Sequence, residues 1–229
     1  GTEHDYGFWV GVGLLTLSPF LLLGRSGAPS SEANSVTFGD LWGFARELPA
    51  IAWAVSLFAA FEAMILTLLP VYCLQQGFTA EIALAMVSTV VVGDALLQLP
   101  IGALADYLSR RTLFAGCAVV LMLSSLAIPM LLDTLLIWPL WVLFGASAGG
   151  LFTLSLILIG ERYRDDALVR ANAHIAQLWG VGCLVGPLAA GAGSQWINGH
   201  ALPLLMAAGA FGLVILLLRQ GAFGKIQTA

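Results

Sequence analysis

Two acids stand where a polar side chain is expensive. Glu62 lies near the middle of the apolar run 49–72, and Asp94 near the middle of the next, 80–105. Gln98 follows Asp94 by one helical turn, on the same face. An ionised carboxylate at bilayer depth costs about 3 kcal/mol on insertion scales, so it is expected to face a partner or a water-filled path. There it can take up and release protons. The competing reading is a protonated acid hydrogen-bonded between helices, which would serve packing alone. A second group lies in the turn between two apolar runs, where Asp106, Arg110 and Arg111 fall within six residues. Asp106 ends a helix, where the macrodipole is negative, and the two arginines are close enough to offset it. Glu161 and Arg162 end another run. Together these side chains could form a breakable latch, because exposed ion pairs are each worth about 0–1 kcal/mol and bias a conformation without freezing it. The plainer role of such arginines is to set topology.

The elements that must hold these groups follow from composition. The 229 residues are 59% hydrophobic and 10% charged, against about 25% charged in soluble domains. Such a chain must satisfy its backbone within helices or a closed barrel. Its apolar runs approach or exceed the roughly 20 residues needed to cross a bilayer and do not alternate, which favours helices. The expectation is an all-α membrane protein, a polytopic bundle with spans near 8–24, 49–72, 80–105, 112–132, 135–160, 171–196 and 201–219, seven in all. Cys73, Cys117 and Cys183 lie in or beside these spans without paired ligand spacing and read as small apolar residues. No ATP-binding loop, metal cluster or nucleophile–base constellation stands out in the sequence. The expectation is therefore no enzyme, no cofactor and no nucleic-acid partner, with the lipid bilayer as the main environment.

Placement of charge gives orientation. All nine basic residues fall in alternate connections: Arg25 and Arg46, Arg110 and Arg111, then Arg162, Arg164 and Arg170, and finally Arg219 and Lys225. The opposite connections, around Gln75, Asp133 and Asn198, have none. The positive-inside rule then places the hinge and the C-terminus in the cytoplasm and Gly1 outside. Glu3, His4 and Asp5 are the reverse of a signal peptide's basic start, and the abrupt entry into an apolar run reads as part of a longer protein. Between Ser26 and Leu48 the composition turns to that of a linker. It ends in Phe38, Leu41, Trp42, Ala45 and Leu48 at helical spacing, which predicts an amphipathic helix lying in the cytoplasmic interface.

Pro70 and Pro100 should kink or loosen their helices. Gly145 to Gly150 in the fifth span, and Gly180, Gly182, Gly186 and Gly191 in the sixth, predict close helix packing. His174 and Gln177, near the start of the sixth span, read as hydrogen-bonded interface residues.

The stretch Gly102-Ala-Leu-Ala-Asp106-Tyr-Leu-Ser-Arg110-Arg111 resembles the signature of the major facilitator superfamily. That signature lies between the second and third helices and is repeated between the eighth and ninth. Gly102, Leu104, Ala105, Asp106, Arg110 and Arg111 match it, whereas Tyr107 replaces a basic residue and Ser109 a glycine. Gln98-Leu-Pro100-Ile-Gly102, Leu69-Pro70-Val71-Tyr72 and Gly186-Pro187 also resemble that family. The resemblance implies that residues 1–24 are its sixth helix, 25–48 the central cytoplasmic loop, and 49–229 the C-terminal six-helix domain. It implies that helices seven and ten line a central cavity. Glu62 would then approach the solute path with Ser147 and Thr153 opposite, and Asp94 and Gln98 would lie near the interface with the N-terminal half of the same transporter. Gly102, Asp106, Arg110, Arg111, Glu161 and Arg162 would form the gating motif, and an inverted three-helix repeat is expected.

The function so implied is secondary active transport of a small solute by alternating access, driven by protons, in a bacterial inner membrane. Two alternatives stay open. One is a seven-helix receptor, a topology that Glu161-Arg162-Tyr163 superficially supports, although that triplet follows the fifth span and the sole lysine, Lys225, lies outside every span. The other is a half-bundle that needs a separate N-terminal partner.

Overall fold

The computed structural model describes residues 38–194 and 199–219. The expected span at 8–24, and the linker up to residue 37, lie outside the described residues. The elements are α1 (Phe38–Glu47), α2 (Pro49–Thr67), α3 (Leu69–Gln75), α4 (Ala80–Tyr107), α5 (Arg110–Leu131), α6 (Ile137–Arg162), α7 (Asp165–Ser194) and α8 (Ala201–Arg219). Six of these, α2 and α4 to α8, are long and apolar enough to cross a membrane. No strand occurs among the described residues. The protein is a helical membrane bundle, as composition required, because hydrocarbon leaves each N–H no partner except its own helix.

Helix limits depart from the expected spans where charge and proline intervene. The expected 171–196 span begins six residues earlier, at Asp165, because Asp165 and Asp166 occupy the first turn of α7, where the dipole favours anions. Hydropathy marks where lipid begins; the helix itself continues past that point. Expected span 49–72 is two helices, since Pro70 lies in the first turn of α3, just past the break at Leu68. α3 then stops at Gly77, whose φ of +90° suits a residue without Cβ. Pro100 leaves α4 continuous.

The helices pack in a row, α4 on α6, α6 on α2, and α2 on α7. α5 and α8 pair with each other and lie against α6 and α2 respectively. The contacts exchange symmetrically between two triplets: the first helix of each (α2 or α6) packs on the middle helix of the other (α7 or α4), and the third helices meet. Two glycine seams make the closest approaches. A Cβ on Gly93 would stand 2.5 Å from the Val142 carbonyl oxygen, and one on Gly186 would stand 2.7 Å from the Ala60 Cα. Gly145 and Gly182 are pressed against the Val90 and Ser56 carbonyls in the same way. Backbones this close maximise dispersion where lipid offers no hydrophobic drive.

α2 and α6 are the most buried spans, while α4 and α7 are the least. α1 forms where expected, but its buried stripe is Leu41, Phe44 and Leu48. Trp42, expected on that stripe, is 60% exposed with Arg46 over its ring. The buried stripe packs on Ile51 and Val55 of α2, Ile159 of α6, and Ala171 and Ile175 of α7. α1 is thus a strut tying three helix ends together.

Candidate functional site

The two mid-span acids lie on α2 and α4, helices that touch, and both are partly buried. The Gln98 side-chain amide donates to Asp94 Oδ1 at 2.8 Å, as their spacing of four residues in one helix permits. Between them in the row of helices runs α6, and there Gly149 faces Asp94, leaving the carboxylate room to lie against bare backbone. No arginine or lysine occurs anywhere in 49–105, 112–160 or 171–218, so among the described residues none lies at the depth of either acid.

The other expected contacts distribute differently. Ser147 is buried and its hydroxyl donates to the Phe144 carbonyl at 3.0 Å within α6. Thr153 is half-buried one turn past Gly149, and its methyl lies 3.9 Å from where a Cβ on Gly102 would stand. The structure therefore joins Asp94 and Gln98, sets Glu62 on the touching helix α2, places Thr153 further along the α4–α6 seam, and leaves Ser147 engaged within its own helix. Flanking the acids is a run of aromatic rings. Trp141, Phe144, Phe61 and Phe58 follow one another, and Phe58 meets Phe152 at 4.9 Å and Trp179 at 5.4 Å between ring centroids.

A second polar region occupies the end of the bundle that carries the arginines. Arg110 pairs with Glu161 across the α5–α6 junction, reaches Asp106 at 3.9 Å, and donates to the Ala105 carbonyl at 3.3 Å. Arg111, half-buried, follows at the start of α5. Arg162 pairs instead with Glu47 of α1 at 2.7 Å, and Tyr163 donates to the same oxygen at 3.0 Å. The Arg162 hydrogen bond holds the Glu47 carboxyl below its ordinary value, against the opposing effect of burial. Burial, and then the bond to Glu47, push the Tyr163 phenol upwards. Beside this clasp, α1 and α7 enclose a cleft of about 330 Å³ between Asp40, Glu47, Tyr163 and Arg170. His174 at its wall is stacked on Phe44 at 5.1 Å and lies 3.2 Å from the Gln177 oxygen, the interface role its position suggested. At the opposite end the Tyr72 hydroxyl meets His200 Nδ1 at 3.0 Å.

Sequence reasoning missed Glu47, Tyr163 and Gly149. Glu47 lies 115 residues before Arg162, and no periodicity links positions so far apart. Gly149 was visible as a small residue, but its counterpart across the seam was not.

The arginine-bearing turn after an apolar helix, the two interlocked triplets and the six membrane-length helices converge on one architecture. The sequence matches the Major Facilitator Superfamily over residues 79–225, which is more than half of the chain. The chain belongs to that superfamily. Among curated proteins none matches it. Membership makes this an integral membrane protein of a transporter family and decides against the seven-helix receptor, whose resemblance rested on span number and one triplet. The stretch that resembles the superfamily signature occupies the α4–α5 turn, where Arg110 reaches Glu161 of α6.

Proposed function

We propose that this chain is the C-terminal part of a proton-coupled secondary transporter that moves a small solute by alternating access. The observation that carries the proposal is the pair of partly buried mid-span acids, Glu62 on α2 and Asp94 on the touching helix α4, with no arginine or lysine of the described spans at their depth. A carboxylate in such a place is retained for function, since packing alone would favour an apolar side chain. Glu62 takes the role of proton acceptor and Asp94, held by Gln98, that of coupling partner. Thr153 is the polar contact for the solute; Ser147, whose hydroxyl is used within α6, contributes shape alone.

In this reading residues 1–24 are the sixth helix of the transporter, 25–48 its central loop, and 49–229 its C-terminal domain. The N-terminal half of the same transporter covers α4 and α7. These are the least buried spans, and Leu96, Leu99, Leu184 and Leu188 stand exposed along them. The arginine-bearing end faces the cytoplasm of a bacterial inner membrane, by the nine-to-zero segregation of basic residues. Arg110, with Asp106 and Glu161, and Arg162, with Glu47, tie helix ends together in one access state and separate in the other. Each is exposed enough to be worth about 0–1 kcal/mol, which suits a latch that must open.

The test uses the full-length protein in proteoliposomes, with the solute first identified by a growth or resistance screen. Glu62→Gln should abolish solute-driven proton movement while expression and folding persist. Wild-type proton movement in that variant at every pH would overturn the proposal.

A further inference from the structure

The glycines of the α4–α6 seam are of two kinds. A Cβ built on Gly93 meets the backbone of Val142, and one on Gly145 meets the backbone of Val90 and Asp94. On Gly149 the three nearest atoms all belong to side chains, two from the Asp94 carboxylate and one, at 3.0 Å, from the Gln98 amide nitrogen. Gly93 and Gly145 let two backbones touch. Gly149 does something else, because what it makes room for is a polar group.

We infer that Gly149 is a positioning residue for Asp94, its bare backbone forming the bed on which the carboxylate lies while Gln98 pins it. The inference rests on the reading of Asp94 as the coupling partner of Glu62. A methyl group at position 149 would overlap Asp94 Oδ1 and stand 2.9 Å from the carboxyl carbon. The carboxylate would have to turn about its broad χ2 torsion or leave for another χ1 rotamer, and either move weakens the 2.8 Å bond from Gln98. The titratable side chain that α2 carries is Glu62; α6 brings none near this level, its charges being Glu161 and Arg162 at the far end, and α5 brings Arg110 and Arg111 at its start and the Cys117 thiol beside Gly150. Gly149 thus sets where the Asp94 carboxylate lies.

A mutational cycle in the full-length protein separates this from simple close packing. Gly149→Ala should lower the melting temperature by about 3 °C or more. In an Asp94→Ala background, where the carboxylate no longer needs the space, the same change should cost less than a third as much. Gly145→Ala, which meets backbone, should cost the same in both backgrounds. Equal costs for Gly149→Ala in the two backgrounds would overturn the inference. Should Gly149→Ala alone yield no folded protein, its recovery by Asp94→Ala supports the assignment and failure to recover overturns it.

A second readout is the infrared band of the protonated Asp94 carboxyl, identified by its loss in Asp94→Asn. Its pH midpoint should move by about one unit in Gly149→Ala, and an unmoved midpoint would count equally against the inference. Neither measurement requires a solute. Failure of proton coupling in the transport assay would therefore remove the functional reading without deciding the position of Gly149, and the reverse also holds.

Discussion

The middle of the bundle and its arginine-bearing end treat charge in opposite ways. At the end, Asp106 and Glu161 share Arg110, and Glu47 binds Arg162. In the middle, Asp94 is held by the neutral amide of Gln98, and no arginine or lysine of the described spans lies at the depth of Asp94 or Glu62. Water makes the difference. At a wet surface an ion pair costs little to form and little to break, so opposite charges are used freely to adjust how helix ends meet. At bilayer depth each charge carries a desolvation cost that a distant partner does not offset. Acids left without counter-ions there weaken the fold, whereas the paired charges of the end modestly support it. One contrast thus separates groups that serve stability from groups to which we assign proton handling.

The sharpest way to break this contrast is Asp94→Asn. The substitution keeps shape and the bond to Gln98 but removes the mid-span charge. It should raise the melting temperature of the full-length protein by about 3 °C, as substitutions that remove a strained functional group commonly do, while solute-driven proton transport falls at least about tenfold. A lower melting temperature would mean that Asp94 is a structural acid, and the distinction between the two regions would fail. Next in size is Arg110→Ala, which leaves Glu161 and Asp106 without their shared cation and the Ala105 carbonyl without its donor. The cost should be about 1 kcal/mol, read as a fall of about 2–4 °C. The two variants should therefore move stability in opposite directions.

How far these regions were legible in the sequence follows the same division. Asp94 and Gln98 could be placed on one face because both lie on one helix and obey its period, and Glu62 stood out because its apolar run contains no other charge. The six described spans were readable for the same reason, since hydropathy reports lipid contact directly. What the sequence could not supply is contact between helices. Gly149 looked like its neighbours Gly145 and Gly150, and only the α4–α6 crossing reveals that Gly149 faces a carboxylate while Gly145 faces backbone. Likewise the apolar stripe expected for α1 took in Trp42 and passed over Phe44. Which of them is buried depends on the groove formed by α2, α6 and α7, and Phe44 is the one that meets His174. The break at Leu68 was anticipated from Pro70, whereas Pro100, also expected to loosen its helix, sits in a continuous one.

A smaller effect, and one with a definite sign, is expected from Glu47. Because Arg162 depresses the Glu47 carboxyl below its ordinary 4.5, the folded state binds that proton less readily than the unfolded chain. The stabilisation is thus fully present above pH 4.5 and is lost as pH falls through the folded-state value. Glu47 is about half exposed, so solvent screening limits the gain to well under about 1 kcal/mol. Glu47→Gln should melt slightly below wild type at pH 7, with the gap closing on acidification below pH 4.5. A gap that widened in acid would contradict the sign.

The smallest expected change is Asp106→Asn. Asp106 is 74% exposed and lies 3.9 Å from Arg110, the loosest of the three ion pairs described here. It also sits at the C-terminal end of α4, where the helix dipole disfavours an anion. Removing the charge thus relieves one unfavourable interaction and deletes one weak favourable one. The two should cancel to within about 0.5 kcal/mol, leaving the melting temperature unchanged within about 2 °C. That near-cancellation makes the variant useful, because any slowing of turnover by Asp106→Asn cannot then be a consequence of lost stability and must come from a changed balance between access states. If turnover also matches wild type, Asp106 only helps to set topology, and the latch at this end of the bundle reduces to Arg110–Glu161 and Arg162–Glu47.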